Sequence, residues 1–382
     1  MTTVKMVKLG TLIKPAKLQK CGNDDYPVLS MTMHNGLVFQ SDKFKKSVAS
    51  QDKSTYKVVH RNQLVIGFPI DEGVLATQRI TDAGIVSPAY GIWDVDQTKI
   101  IPEFLEYALR CNRAIDYYKA KLRGSTARRR SLPTPTLLEL DVPLPDIEQQ
   151  RLALTTIHHA KNALDSRQAQ LTKLDELIKA RFVEMFGDPV TNPFNWPTVE
   201  LGQRCEIITG NTPSRAEPEN YGTFIEWIKS DNINTPSTFL TPAQEYLSEV
   251  GFQKCRFVES GSLLMTCIAG SLNCIGNVAV TNRRVAFNQQ INAITPTCDN
   301  VLYLYWLMIL SKPAIHKTIN MALKGILSKS QLSSIKFPFP SIECQNQFAA
   351  FVAEVDKSKV EVQKALDQTQ LLFDSLMQQY FG

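Results

Sequence analysis

One feature constrains this chain more than any other: residues 142–187 and 337–382 align without a gap at a constant offset of 195. Pro143, Pro145, Ile147, Glu148 and Gln150 recur as Pro338, Pro340, Ile342, Glu343 and Gln345. Gln168, Leu171, Leu177, Phe186 and Gly187 recur as Gln363, Leu366, Leu372, Phe381 and Gly382. Ten identities in 46 positions, anchored at both ends, are hard to credit to chance, and a fixed internal period is the signature of a repeated architecture. Each copy opens with Pro-x-Pro, which keeps the preceding residues extended. Acidic residues follow (Asp146 and Glu148; Glu343 in the second copy) and suit the positive end of a helix. Neither copy then contains Pro or Gly until Gly187 or Gly382, and glycine is the usual helix stop. About 40 helical residues at 1.5 Å each reach roughly 60 Å, whereas an average helix has about 11–12 residues.

Heptad spacing indicates what these helices face. In the first, Ile157, Leu164, Leu171 and Ile178 recur every seven residues, with Leu174 on the partner position. In the second, Leu366 and Phe373 share the stripe with Val355, Val362 and Leu376. Each stripe is incomplete alone and too long for a small neighbouring domain to cover, so the predicted arrangement is an antiparallel two-stranded coiled coil. The alternative is that each helix packs separately on its own domain.

The segments between the helices repeat weakly. Val7-Lys8-Leu9-Gly10 returns as Val199-Glu200-Leu201-Gly202, each opening a unit with β-rich stretches at Tyr26–Ser30 and Ile225–Asp231. A later strand reads Gln63–Gly67 or Ser262–Thr266. An apolar helix follows, predicted over Pro102–Leu122 or Val301–Leu323. The expected fold is therefore α+β and pseudo-twofold, with two mixed globular domains (1–141 and 188–336) alternating with two long helices (142–187 and 337–382).

Charge narrows the function. The net +5 is uneven: +7 over residues 1–145, 0 over 146–187, +1 over 188–336 and −3 over 337–382. Lys119, Lys121, Arg123, Arg128, Arg129 and Arg130 fall in a stretch without acids, with Gly124, Ser125 and Thr126 among them, a composition that attracts phosphates. A solvated basic loop is the plainer reading of such a run. The eight cysteines form no Cys-x-x-Cys pair, which argues against structural zinc. No apolar leader or run of about 18 apolar residues is present, so a cytoplasmic location is expected. Phosphate-loop, His-Glu-x-x-His and Gly-x-Ser-x-Gly motifs are missing. Asn192-Pro193-Phe194 reads as a turn, and a non-catalytic chain is expected.

The twice-used Pro-x-Pro-x-Ile-Glu-x-Gln leader with its long helix, and Phe186-Gly187-Asp188-Pro189 followed by Trp196 and Val199–Gly202, resemble the DNA specificity (S) subunit of type I restriction–modification systems. The resemblance covers essentially the whole chain. Departures are Cys344, where the family has the second member of its Glu-Gln pair, and the Arg128–Arg130 run with Pro133 and Pro135. The resemblance implies two target recognition domains, each reading half of a bipartite site in double-stranded DNA. It also implies paired helices that set the spacing and dock two modification (methyltransferase) subunits, in a bacterial or archaeal cytoplasm and in phage defence. S-adenosylmethionine, ATP and Mg would belong to partner subunits, including restriction or translocase subunits where present, and none to this chain. A non-DNA coiled-coil scaffold, and the specificity subunit of a system with a fused methylase-nuclease, are the alternatives.

Phosphate contacts position a DNA-binding protein, whereas side chains at base edges specify sequence. For positioning, the candidates are Lys121, Arg123, Arg128, Arg129 and Arg130, with Lys324 and Lys329 in the second domain. For base reading they are Ser30, His34, Ser230, Asp231, Asn232, Asn288, Gln289 and Gln290. Any such polar residue also suits a turn or a strand-end cap. Within the family likeness, Ser87–Tyr90 and Phe287–Gln290 take the place of the strand before the apolar helix.

Overall fold

The computed structural model describes residues 4–33, 35–43, 53–122, 132–319 and 325–382. The chain divides into two compact units, Met1–Gln168 with Lys364–Gly382, and Ala169–Gln363. Both divisions fall inside the long helices, Ile147–Phe186 and Ile342–Phe381, each of 40 residues.

In the first unit, Met6–Lys8 pairs antiparallel with Asp141–Pro143, bringing the unit's entry and exit together. A four-stranded antiparallel sheet follows in the order Ile13–Pro15, Gly91–Val95, Leu64–Ile66, Leu75–Thr77. The hairpin Leu29–Thr32/Gly36–Phe39 and the pair Lys57–His60/Ala83–Val86 flank it. Pro102, free of an amide hydrogen, starts the helix Pro102–Arg110, which buries Phe104, Leu105, Ala108 and Leu109. The single helix expected over Pro102–Leu122 is in fact two. Cys111 adopts extended angles between Pro102–Arg110 and Asn112–Lys121, which frees the second piece to turn Ala114 and Tyr118 into the core.

The second unit repeats the plan. Thr198–Glu200 pairs with Lys336–Pro338. The sheet order Cys205–Thr209, Ile291–Pro296, Leu263–Thr266, Val278–Val280 matches the first unit strand for strand. A further sheet runs Tyr246–Leu247, Tyr221–Ile228, Val285–Phe287, Phe257–Val258. The Asn300 side chain caps Val301–His316 by accepting the Leu302 N–H at 2.9 Å. This helix ends before Leu323, and residues 320–324 lie outside the described part. The predicted strands at Ser87–Tyr90 and Asn288–Gln290 are turns instead. Each follows a strand, Ala83–Val86 or Val285–Phe287, and precedes the next, Gly91–Val95 or Ile291–Pro296.

The structure gives the repeated residues their reasons. Gln150, fully buried, accepts the Ile101 N–H at 2.8 Å and donates to the carbonyls of Lys99 at 3.0 Å and Pro145 at 2.8 Å. Gln345, also fully buried, accepts the Asn300 N–H at 2.9 Å and donates to Asp299 Oδ1 at 2.7 Å and to the Pro340 carbonyl at 3.0 Å. Each long helix therefore starts locked to the apolar helix of the domain it leaves. It ends on the other domain: Phe186 packs on Tyr303 and Phe348, with centroids 5.0 and 5.6 Å away, and Phe381 packs on Phe104 at 4.9 Å. Gly187 follows with φ +77°, the left-handed stop expected of it.

The ten heptad residues are all buried or half-buried. The stripe is not covered by the other helix alone. Ile157 belongs to the first unit's core with Phe104 and Phe381, and Ile178 and Val355 belong to the second unit's core with Phe182 and Phe348. Between those ends the helices touch directly. Arg167 Nε donates to Thr369 Oγ1 at 3.0 Å in the first unit, and Lys359 pairs with Asp175 at 2.7 Å in the second.

Candidate nucleic-acid interface

The second unit builds a polar edge from three chain segments. Strands Tyr221–Ile228 and Val285–Phe287 run parallel, with Trp227 opposite Ala286 and Ile228 opposite Phe287, so the chain leaves both at one edge. The turns that follow, Ser230–Asn232 and Asn288–Gln290, lie side by side. The Asn288 N–H donates to the Ile228 carbonyl at 3.1 Å, and Ser230 Oγ donates to Gln290 Oε1 at 3.4 Å. Gly210–Thr212, emerging from Cys205–Thr209, is the third segment, with the Asn211 N–H on the Phe287 carbonyl at 3.1 Å. A Cβ on Gly210 would lie 2.3 Å from the Asn288 oxygen and 2.4 Å from that of Phe287, so only glycine allows this approach.

Within this edge the base-reading candidates separate. Asn232 is buried, with its oxygen on the Lys229 N–H at 3.1 Å and its amide donating to the Pro242 carbonyl at 2.9 Å. Asn288 is buried too and accepts the Gln290 N–H at 3.0 Å. Both asparagines build turns. Asp231 and Gln289 are exposed and offer donors and acceptors to solvent, whereas Ser230 and Gln290 are half-buried and bonded to each other. Thr212 Oγ1 donates to Gln289 Oε1, which orients that amide and leaves its NH₂ facing away.

Sequence reasoning missed the surroundings of this edge. Arg215 lies over the rings of Tyr221 and Trp227, 4.8 and 5.6 Å from their centroids, and Lys229 lies 5.2 Å from that of Trp227. Both cations pair with Glu245, Arg215 at 2.7 Å. The hydrogen bond from Lys229 holds the Glu245 carboxyl below the usual carboxylate range, with Arg215 adding to the effect. Arg256 Nη1 donates to the Thr209 carbonyl at 2.6 Å, and its N–H to Asn211 Oδ1 at 2.8 Å. These cations are scattered singly along the sequence, so no charge run announced them. The one available signal was Trp227 flanked by lysine and acid.

The first unit has the same frame with other chemistry. Val28 bridges Ile85 in parallel, as Trp227 does Ala286. Half-buried Ser30 follows on Leu29–Thr32, opposite Val38. The turn Ser87–Tyr90 takes the place of Asn288–Gln290, and Lys57 Nζ donates to the Tyr90 carbonyl at 2.6 Å. His34 lies outside the described residues, as do Arg123, Arg128, Arg129, Arg130 and Lys324. Lys121 is exposed at the end of Asn112–Lys121. Lys329 is exposed in the first turn of Lys329–Ser334, which Ser328 and Gln331 close with a reciprocal capping box. Among the described residues no His, Cys, Asp or Glu cluster could hold a metal ion, and no helix is long and apolar enough to cross a membrane.

Comparison with known proteins fits this architecture. Residues 193–369 match the family model of the type I restriction modification DNA specificity domain. The type I restriction enzyme HindI specificity subunit of Haemophilus influenzae is 28% identical over 187 residues, covering 46% of this chain and 39% of that protein. The MjaIX specificity subunit of Methanocaldococcus jannaschii is 28% identical over 177 residues, covering 43% and 38%. The chain thus spans about two fifths of the length of these curated relatives. A solved structure on the assembly and conformational transition of the type I R-M system superimposes with a TM-score of 0.62 at 16% identity, over 99% of this chain and 97% of that one, which is a likeness of fold. The stretch 193–369 is thus similar to a type I restriction modification DNA specificity domain. The family model and both of these relatives match less than half of the chain, and each likeness is to a type I restriction–modification specificity subunit.

Proposed function

We propose that this chain is the non-catalytic specificity subunit of a bacterial or archaeal type I restriction–modification complex, acting on double-stranded DNA in the cytoplasm. Each globular unit reads one half of a bipartite site. The second does so with Ser230, Asp231, Gln289 and Gln290, and the first with Ser30 and the Ser87–Tyr90 turn. Lys121, Lys329 and the basic residues around 123–130 and 324 hold phosphates. The two long helices pair as an antiparallel coiled coil: the contacts Arg167–Thr369 and Asp175–Lys359 support this, since one number rises as the other falls. Leu177 and Leu372, identical in the repeat, are each about half exposed, as are Val183 and Val360, while Leu152 and Leu371 are more so. An exposed leucine at one repeated place, Leu177 and Leu372, suits docking of two copies of one methyltransferase subunit. S-adenosylmethionine, and ATP and Mg where a restriction or translocase subunit joins, would be bound by those partners.

The observation that carries this reading is that each helix starts on one reading unit and ends on the other, an arrangement encoded twice. A stiff pair of rods holds two readers at a set separation, which a flexible linker does not. Sequencing methylated adenines in genomic DNA with and without the gene tests it. A two-part motif that disappears on deletion is expected, and an unchanged methylation pattern would refute the reading.

A further inference from the structure

We propose that Gln150 and Gln345 are positioning residues for half-site spacing, each fixing the angle at which a long helix leaves its reading unit. The proposal rests on the DNA-reading role argued above. Burial alone does not need glutamine here: methionine has a similar volume and no polar atoms to satisfy. What an amide adds is direction. In each copy the side chain makes three hydrogen bonds, one to the proline carbonyl of its own leader and two to the approach of the apolar helix. Ile101 and Asn300, whose N–H groups it accepts, are the residues that begin those helices. Turning the helix about this joint would leave up to three buried polar groups without partners, each costing about 1–3 kcal/mol. The joint is therefore stiff in angle, and the second copy repeats it although the surrounding domain has diverged.

The leverage is large. A rod of about 60 Å tilted by roughly 3° moves its far end sideways by about 3 Å, comparable with the rise of one base pair. One base pair also turns the duplex by roughly 35°, so a loosened joint must let the helix swivel as well as tilt to admit a different spacer. The globular units read the bases, and the glutamines decide how far apart those bases stand.

The test sequences methylated adenines in cells expressing the chain with its partner subunits, as wild type, Gln150→Met and Gln345→Met. The wild type is expected to give one spacer length. Each Met variant is expected to keep both half-sites and to add sites one base pair longer or shorter, methylated within about tenfold of the original spacer. A merely stabilising glutamine would lower methylation of all sites together and leave the spacer fixed, and that result overturns the proposal. If Gln150→Met fails to accumulate, Gln150→Glu, which keeps the acceptor for the Ile101 N–H and loses both donors, is scored in the same way. Absence of any two-part motif in wild type removes the DNA-reading role and this proposal with it. A two-part motif with an unaltered spacer in the variants removes the proposal alone.

Discussion

The two globular units share a frame and differ in what covers it. Sheet order, the seam between entry and exit strands, and the buried glutamine are common to both. The helix that meets the long helices is not. In the first unit it carries Glu103 and Glu106, joined by Arg79, with Glu103 2.9 Å from His158 Nε2 on the long helix. In the second unit the corresponding helix presents Tyr303, Tyr305 and Trp306, and Tyr303 stacks on Phe182 at 5.5 Å. A cleft of about 940 Å³ lies beside Glu103, His158 and Lys161 in the first unit. The matching place in the second, beside Asp356 and Lys359, is narrowed by residues 236–239 to a groove of about 260 Å³. The glutamine that starts each long helix and the phenylalanine that ends it are thus copied, while the groups they meet differ. The surfaces between them tolerate either ion pairs or rings, because either chemistry fills the space.

The largest effect that probes this comparison is at the helix ends. Phe186→Ala and Phe381→Ala should each destabilise the chain by about 3–5 kcal/mol, read by chemical denaturation of the purified protein. Phe186 should cost more, because Phe182, Tyr303 and Phe348 all surround it within 5.6 Å. Phe381 has Phe104 at 4.9 Å and Tyr107 farther off at 6.1 Å. A loss below about 1 kcal/mol for either would mean that its helix end is not seated, and the shared frame would fail at that end.

Much of the frame was legible because it is punctuated. Proline opens and glycine closes each long helix, and nothing between interrupts the turn-by-turn hydrogen bonding. The identities Gln150/Gln345 and Phe186/Phe381 stood out in the repeat. Their reasons did not, since their partners are backbone atoms and rings far away in sequence. The break at Cys111 carries no proline or glycine and was invisible. The reading edge was only half legible. Ser230 and Gln290, 60 positions apart, meet because two strands run parallel, and pairing of that kind leaves no local pattern. Asn232 and Asn288 had the right chemistry for base contact and the wrong burial, which depends on neighbours that composition does not reveal.

A smaller effect separates the two joints. In the second unit Gln345 donates to Asp299, which Arg204 also grips with two bonds of 2.8 and 2.6 Å. In the first unit the acceptor is the Lys99 backbone carbonyl, which no side-chain substitution removes. Asp299→Ala should therefore cost about 2 kcal/mol, since it strips partners from a cation and a buried amide. Lys99→Ala should cost under about 1 kcal/mol, the value of an exposed ion pair. Equal losses in thermal unfolding would erase the distinction.

The last effect falls on one base position rather than on stability and is the most informative about reading. Gln289 is exposed, its oxygen is held by Thr212, and its NH₂ is left to meet a base-edge acceptor. Gln289→Ala should reduce discrimination at one position of the second half-site by about 1–3 kcal/mol. The first half-site and the salt dependence should be unchanged, because no charge is removed. Lys329→Ala should do the reverse, weakening binding to all sequences and lowering the salt slope by about 1. Binding of the assembled complex to duplexes varied in one half-site at a time, at several salt concentrations, distinguishes the two. If Gln289→Ala instead weakened both half-sites alike, the edge formed by the parallel strands would be a structural seam, and reading in the second unit would have to lie elsewhere on its surface.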